Sequence, residues 1–577
     1  MSRIKALRYL VLAALGIIVV RLFFIQIIEH GKWVEQANVQ HTMLETIVAD
    51  RGEIYMMDGD TPVPVVLNQT VYSIIIDPAV TNKDRLKELL DKYAKENITA
   101  DIDEIYDIEG LRYFVIARNI TREVADQIAK EGVGGIWFQE NNRRVYPEGE
   151  MASALLGFVN AEGVGQYGVE GSLNDVLKGT DGLLKSISDV NNVALSIGND
   201  NVKIPAVDGE TVVLTVDRGM QKGIEELMAQ TVANTPATNM SAIVIDPNNG
   251  KVLTMANYPN YNSAKYDKVE DASVFVNYVT EVPYEPASTC KTFAFSAAIN
   301  EGKMTADSTY YNAGYTVVDG WTIKNAEQRS SLIGTLDMRT ALYWSLNTGS
   351  IQSLRFLGDN PDQITQVGRE RLYDYYYNKF GLGQKTGIEI SEAEGLVPDP
   401  NEGYGRDSVY ANMTFGQNVY LTMIQVASAF SAIVNGGYYH TPTIIAGTLK
   451  NGELVPAEQK SSTRQILSEY TSNMMRDLLL NNRSHKRRQG IDRYGYDIGG
   501  KSGTAQVVRD GGYDNTMSET VASYVGYGGT EGELPKYVIM VKMWGEGQQM
   551  DGSTHGSAAF DSISNFVIDY LKIKPRQ

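Results

Sequence analysis

Ser288-Thr289-Cys290-Lys291, followed downstream by Ser345-Leu346-Asn347 and Lys501-Ser502-Gly503-Thr504, decides how the second half of this chain is read. A serine with a lysine three residues on shares one helical face with it, so the amine reaches the hydroxyl and takes its proton. In that order the three strings describe an acyl-transfer site. Each string also has a duplicate: Ser2-Arg3-Ile4-Lys5, Ser172-Leu173-Asn174 and Lys385-Thr386-Gly387. Ser2 lies in a basic flank, and Ser172 precedes the first serine–lysine pair with a pocket-like context. Lys385-Thr386-Gly387 runs into Ile388-Glu389-Ile390, whereas Lys501 lies between Gly499-Gly500 and Gly503-Thr504. A strand that presents backbone N–H groups to a substrate benefits from adjacent glycines, so Lys501 is the expected third motif.

The chain's 577 residues suit two or three domains with ample core. A content of 43% hydrophobic and 21% charged residues is ordinary for globular protein. The net charge of −18 argues against nucleic acid as a partner and fits an exported ectodomain. Cys290 stands alone, so no internal disulfide forms. His30, His41, His440, His485 and His555 are scattered without a paired motif, which argues against zinc and against a thiol mechanism at Cys290. Cys290 reads as a small buried hydrophobe. No metal and no other cofactor is expected.

Residues 9–28 are apolar except for Gly16, Arg21 and Gln26, and about 20 residues cross a bilayer core. Arg3, Lys5 and Arg8 precede the run while Glu29 and Glu35 follow it, so residues 1–8 are expected in the cytoplasm. Glu29-His30-Gly31-Lys32-Trp33 offers no A-x-A-like cleavage site, and an uncleaved anchor is expected. Arg21 either snorkels to the outer interface or meets a partner helix.

Residues 31–204 carry no catalytic cluster. Periodicity predicts a strand at 71–76, an amphipathic helix at 83–96 and a capped helix at 121–131. Residues 205–577 read as a second module that opens with a strand at 211–216. A hairpin with strands 242–245 and 252–255, strands at 523–526 and 537–543, and a closing helix at 557–573 follow. Strands at both ends with helical text between them predict an α+β module, an antiparallel sheet covered by helices. The run Arg483-Ser484-His485-Lys486-Arg487-Arg488 reads as a solvated loop, with contact to an anionic polymer as the alternative.

With these pieces in place the chain resembles a class B penicillin-binding protein, a membrane-anchored peptidoglycan D,D-transpeptidase. Tyr284 to Lys291 is similar to that family's nucleophile signature, and Phe415-Gly416-Gln417-Asn418 with Asn435-Gly436-Gly437 to a connecting segment. Phe380-Gly381-Leu382-Gly383 with Thr386-Gly387-Ile388 resembles a structural segment, which gives the Lys385 duplicate a place. Arg51-Gly52-Glu53-Ile54, Arg144-Val145-Tyr146-Pro147 and Gly168-Val169-Glu170 resemble its non-catalytic pedestal. Two departures stand out: Ala287 replaces the usual glycine before the nucleophile, and Met56-Met57-Asp58-Gly59 replaces the usual Asp-Arg-Asn-Gly.

The resemblance implies a transmembrane helix at 9–28, an elongated mixed α/β pedestal at 31–204 and a transpeptidase domain related to serine β-lactamases at 205–577. It implies that Ser288 attacks the D-Ala-D-Ala carbonyl, with Lys291 as base, Ser345 as proton relay and Asn347 on the substrate amide. Lys501 would supply positive charge. Ser502, Gly503 and Thr504 would line the substrate, the Ser502 and Thr504 hydroxyls binding the terminal carboxylate. Backbone N–H groups of Ser288 and Thr504 would form the oxyanion hole. Donor and acceptor stem peptides, β-lactams, the membrane, a polytopic glycan polymerase and division or sporulation proteins are the implied partners. Tyr284-Glu285-Pro286 leans towards the division and sporulation branch.

Two other functions compete. A β-lactamase or carboxypeptidase would pass the acyl group to water, but no E-x-x-L-N-like string follows Ser288. A sensor would need signalling text before the span, and a scaffold should have lost a motif residue, yet all three motifs are intact.

Overall fold

Tyr537-Val538-Ile539-Met540-Val541-Lys542-Met543 is apolar at nearly every position because the strand it forms is covered on both faces. The computed structural model describes residues 3–33, 42–187, 202–458, 463–509, 512–513 and 518–577. Five strands build the sheet: β1 (Asn239–Ile245), β2 (Val252–Tyr258), β3 (Tyr496–Gln506), β4 (Thr520–Thr530) and β5 (Tyr537–Trp544). Their spatial order is β2-β1-β5-β4-β3, and every neighbouring pair is antiparallel.

Side chains alternate across this sheet. Tyr537, Ile539, Val541 and Met543 join Met220, Ile224 and Met228 of helix α1 (Arg218–Ala233) in one core. Val538 and Met540 face the opposite way, into a core with Phe293 of α2 (Lys291–Asn300), Ile351 of α3 (Asn347–Leu357) and Phe430 of α4 (Met423–Val434). Helix α5 (Ser557–Tyr570) closes the first face with Phe560, Ile563 and Val567. α4 is buried at all of its residues, which explains its uninterrupted apolar text, and it starts in a capping box between Thr422 and Gln425. The antiparallel sheet with helical cover is the architecture expected for the module.

The described chain forms two compact units, and their boundaries are not continuous in sequence. One comprises Met1–Gly52, Thr70–Asn142 and Lys178–Glu210; the other comprises Glu53–Gln69, Arg143–Leu177 and Thr211–Gln577. In the first, the strand ending at Ile76 pairs with Phe114–Ile120, and helices Lys83–Tyr93 and Arg122–Lys130 cover it. Helix 83–93 stops short of the expected 83–96, because the chain tightens into a 3₁₀ turn at Lys95–Asn97. In the second unit, Ile54–Asp58 pairs in parallel with Val212–Asp217, the strand expected near 211–216. Arg144 and Glu170, both buried, share a 2.6 Å ion pair there, and Asn68 accepts a further bond from Arg144 at 2.7 Å.

The N-terminal helix Arg3–Phe23 continues as a π-helical turn, Phe24–Ile28. Ile4–Ile28 contains an 18-residue window with a mean hydropathy of 2.6 and is long and apolar enough to cross a membrane. Ser2, Glu35 and His41 lie outside the described residues.

The Arg483–Arg488 run is not a solvated loop. Arg483 caps helix Glu469–Asn482, and Ser484–Arg488 is itself helical. The Arg483 guanidinium is 2% exposed and donates to Asp492, to Asp561 at 2.8 Å and to the Tyr524 hydroxyl at 2.9 Å. Lys486 joins Asp561 at 2.9 Å. Charge count alone suggested solvent; acids far along the chain supply the partners instead.

Candidate active site

The nucleophile turn is a short 3₁₀ segment, Ala287–Cys290, that feeds directly into α2. Thr289 Oγ1 fastens it by donating to the Pro286 carbonyl at 2.8 Å. Ser288 is partly exposed between the buried Ala287 and Thr289. Ala287 sits at φ +49°, in the left-handed region, which is where a glycine would be at ease. Its N–H donates to the carbonyl of Gly416 at 3.2 Å, and a Cβ on Gly416 would fall 2.1 Å from the Ala287 oxygen. Phe415-Gly416-Gln417-Asn418 thus backs the nucleophile, helped by a 2.7 Å bond from Asn418 N–H to the Glu285 carboxylate.

Lys291 opens α2 and is fully buried. Its amine donates to the Ser345 carbonyl at 2.5 Å, the Ser345 hydroxyl at 3.1 Å and the Asn347 Oδ1 at 2.8 Å. Ser345 turns at φ +54° to present both oxygens, and Asn347 begins α3. Asn347 Nδ2 donates to the Lys324 carbonyl at 2.9 Å, which fixes the amide against the lysine. Burial, and then the positive charge of Lys501, hold the Lys291 amine well below the usual lysine range. Lowering its proton affinity in this way makes the amine a better proton acceptor than an ordinary lysine.

Lys501 lies in the middle of β3, opposite Val525 of β4, and its amine donates to the Ser502 carbonyl at 3.0 Å. Burial lowers its pKa to about 7, with the Asp551 carboxylate pulling the other way. The structure brings Ser288's turn close to this strand at Gly503, where a Cβ would lie 2.6 Å from the Pro286 carbonyl. Gly499 and Gly500 serve a different need from the one read in the sequence. A Cβ there would strike the rings of Tyr527 at 2.4 Å and Tyr524 at 2.5 Å, so these glycines let aromatic side chains of β4 cross the strand. Thr504 accepts a 2.9 Å bond from Gly552 N–H and donates to Asp551 at 3.2 Å.

The duplicates fall elsewhere. Lys385-Thr386-Gly387 is an irregular turn in which Glu392 accepts from Thr386 N–H and Oγ1 and from Gly387 N–H. Ser172 ends a short helix and accepts from Ser391 N–H. Burial pushes the Cys290 thiol up, away from reactivity. Two neighbours of the site escaped the sequence reading: Asp551, and Lys542 on β5, which lies 4.7 Å from the Trp544 ring and 4.8 Å from that of Tyr284. Asp551-Gly552-Ser553-Thr554 carries a turn signature, but nothing local ties it to Thr504.

Residues 240–564 match the penicillin binding protein transpeptidase domain, and residues 46–214 match the penicillin-binding protein dimerisation domain. Stage V sporulation protein D of Bacillus subtilis (strain 168) is 28% identical over 572 residues, covering 97% of this chain and 84% of that protein. Peptidoglycan D,D-transpeptidase FtsI of Escherichia coli (strain K12) is 26% identical over 588 residues, covering 98% and 91%. The crystal structure of penicillin binding protein 2X from Streptococcus thermophilus is similar with a TM-score of 0.72 at 23% identity, covering 92% of this chain and 81% of that one. With a transpeptidase domain that spans more than half of its length, and a dimerisation domain before it, this chain belongs to the class B penicillin-binding proteins.

Proposed function

We propose that this chain is a serine-type peptidoglycan D,D-transpeptidase in which Ser288 carries the acyl group and Lys291 is the base. The hydrogen-bonded cluster of Lys291, Ser345 and Asn347 carries the reading, because it delivers a buried amine of low proton affinity one helical turn from the serine. Ser288 Oγ attacks the carbonyl carbon between two terminal D-alanines as Lys291 takes its proton. The negative oxygen of the tetrahedral intermediate is received by the backbone N–H groups of Ser288 and Thr504; one such donor is worth about 3–4 kcal/mol. The C–N bond then breaks, and the leaving D-alanine amine receives a proton through Ser345. An amine of a second stem peptide attacks the ester, forms the crosslink and returns Ser288. The positive charge of Lys501 adds to burial in lowering the proton affinity of Lys291, and Ser502, Gly503 and Thr504 line the donor peptide.

Peptidoglycan is the substrate and β-lactams bind the same domain. Residues 31–204 act as the pedestal and 205–577 as the transpeptidase domain. The helix of residues 9–28 anchors the chain, with its N-terminus cytoplasmic and the catalytic domain outside. A glycan polymerase and other division or sporulation proteins are its partners. Labelled penicillin tests the chemistry. A stable adduct on Ser288, absent from Ser288→Ala, is expected; rapid release of penicilloic acid, or no adduct on the folded chain, overturns the reading.

A further inference from the structure

Asn347 opens α3, and Leu346 before it has no side chain able to cap a helix. The first N–H groups of a helix lack partners within it, so an acceptor has to come from elsewhere. Asn325 supplies one from 23 residues before Thr348: its Oδ1 accepts from Thr348 N–H at 2.9 Å and from Thr348 Oγ1 at 3.2 Å. Asn325 Nδ2 donates to Asn312 Oδ1 at 3.1 Å. Asn312 is pinned in turn, its Nδ2 donating to the Leu332 carbonyl at 2.6 Å and its Oδ1 accepting from Gly314 N–H at 3.0 Å. Asn312, Asn325 and Thr348 are all buried, and none belongs to the three motifs. The peptide plane between Lys324 and Asn325 is held at both edges. Asn325 N–H donates to the Gly314 carbonyl at 3.0 Å, and the Lys324 carbonyl accepts from Asn347 Nδ2 at 2.9 Å. A backbone carbonyl only accepts, so the Asn347 amide turns its nitrogen to Lys324 and its oxygen to the Lys291 amine, 2.8 Å away.

We propose that Asn325 is a positioning residue for acyl transfer: by capping α3 at Thr348 and fixing the Lys324 carbonyl, it keeps Asn347 Oδ1 on the Lys291 amine. The inference rests on the transpeptidase reading above. Without Asn325 the Lys324 carbonyl drifts and the Asn347 amide is released to rotate. A rotated amide sets its N–H groups towards Lys291 and takes away one of the amine's three acceptors. The base is then held by Ser345 alone, and its aim at the Ser288 hydroxyl loosens. From β3, Lys501 is the charged group that faces this amine; the turn before α3 and its first residue present the neutral oxygens of Ser345 and Asn347. Asn347 Oδ1 favours the ammonium form, so its loss lowers the proton affinity of Lys291 further.

The test measures the second-order rate of acylation by fluorescent penicillin against pH, with the full chain in detergent micelles. Asn325→Ala should lower the plateau rate about tenfold, the worth of one hydrogen bond to a charged group. The acid limb of its profile should move about 1 pH unit lower, since the base has lost an acceptor for its charged form. A purely structural lesion would scale the whole profile and leave the limb in place. In an Asn347→Ala background the same substitution should cost about twofold or less, because its effect passes through the Asn347 amide. A folded Asn325→Ala with the wild-type rate, an unmoved limb, or an undiminished loss in the Asn347→Ala background each overturns the inference, while a Ser288 adduct keeps the transpeptidase reading intact. Should Asn325→Ala fail to fold, Asn325→Ser, too short to span to Thr348, is read by the same three outcomes. No adduct on wild type removes both readings.

Discussion

Two groups of buried cations in the second unit solve the same electrostatic problem in opposite ways. Arg483 and Lys486 meet Asp492 and Asp561, so the positive charge stays and ties a helix end to α5. Lys291, Lys501 and Lys542 are as deeply buried, but their contacts are carbonyls, a hydroxyl, an amide or aromatic rings. A buried cation without a counter-ion lowers its pKa instead of holding its charge. Matched charge makes a strut; unmatched charge makes a base. Lys542 adds a condition. Its pKa is lowered by burial to about 7 as well, yet its amine lies over the rings of Tyr284 and Trp544. In the proposed mechanism a depressed lysine becomes the base where a nucleophile shares its turn.

The comparison breaks first at Lys291. Lys291→Met keeps the volume and loses the base, and should slow penicillin acylation about a thousandfold, read by stopped labelling, while the melting temperature holds or rises. The opposite pattern should follow at the matched site. Arg483→Met leaves the buried Asp492 without its ion-pair partner and Asp561 with Lys486 alone, and should cost about 3–5 kcal/mol of stability, read by denaturant melts, with acylation of the folded fraction preserved.

A subtler test uses pH. Lys501 and Lys542 titrate near 7 when folded and near 10.4 when unfolded, so the unfolded chain holds more protons between those values. Stability should therefore rise with pH from about 7 to about 10, and Lys542→Met should lessen that slope by about 1.4 kcal/mol per pH unit. Arg483, charged throughout, should contribute nothing to it. The smallest effect belongs to Ala287→Gly. Relief of the left-handed backbone, offset by glycine's extra freedom in the unfolded chain, should stabilise by less than about 1 kcal/mol in thermal melts.

Much of the site was legible because its logic is local. The serine–lysine spacing is a property of one helical turn, and Ser345 and Asn347 sit two apart at a helix start, so short strings reveal them. The strands of the catalytic sheet were legible too, since a sheet covered on both faces writes near-continuous apolar text. Arg483 was misread because charge runs on most chains face water, and its partner Asp561 lies 78 residues away. Gly499 and Gly500 were read as making room for substrate; the rings they accommodate come from the neighbouring strand.

By itself the sequence determined the anchor-like helix, the three motifs and their order, and the α+β module, all of which follow from periods of two or 3.6 residues and from charge and glycine at fixed offsets. Only the tertiary structure decided which cations are matched by acids, which glycines face rings, and that Glu53–Gln69 and Arg143–Leu177 fall in one compact unit with Thr211–Gln577. It also decided that Thr504 gives its proton to Asp551, 47 residues on. Hydrogen bonds and desolvation depend on what folding brings within about 3 Å, and no local period encodes that distance.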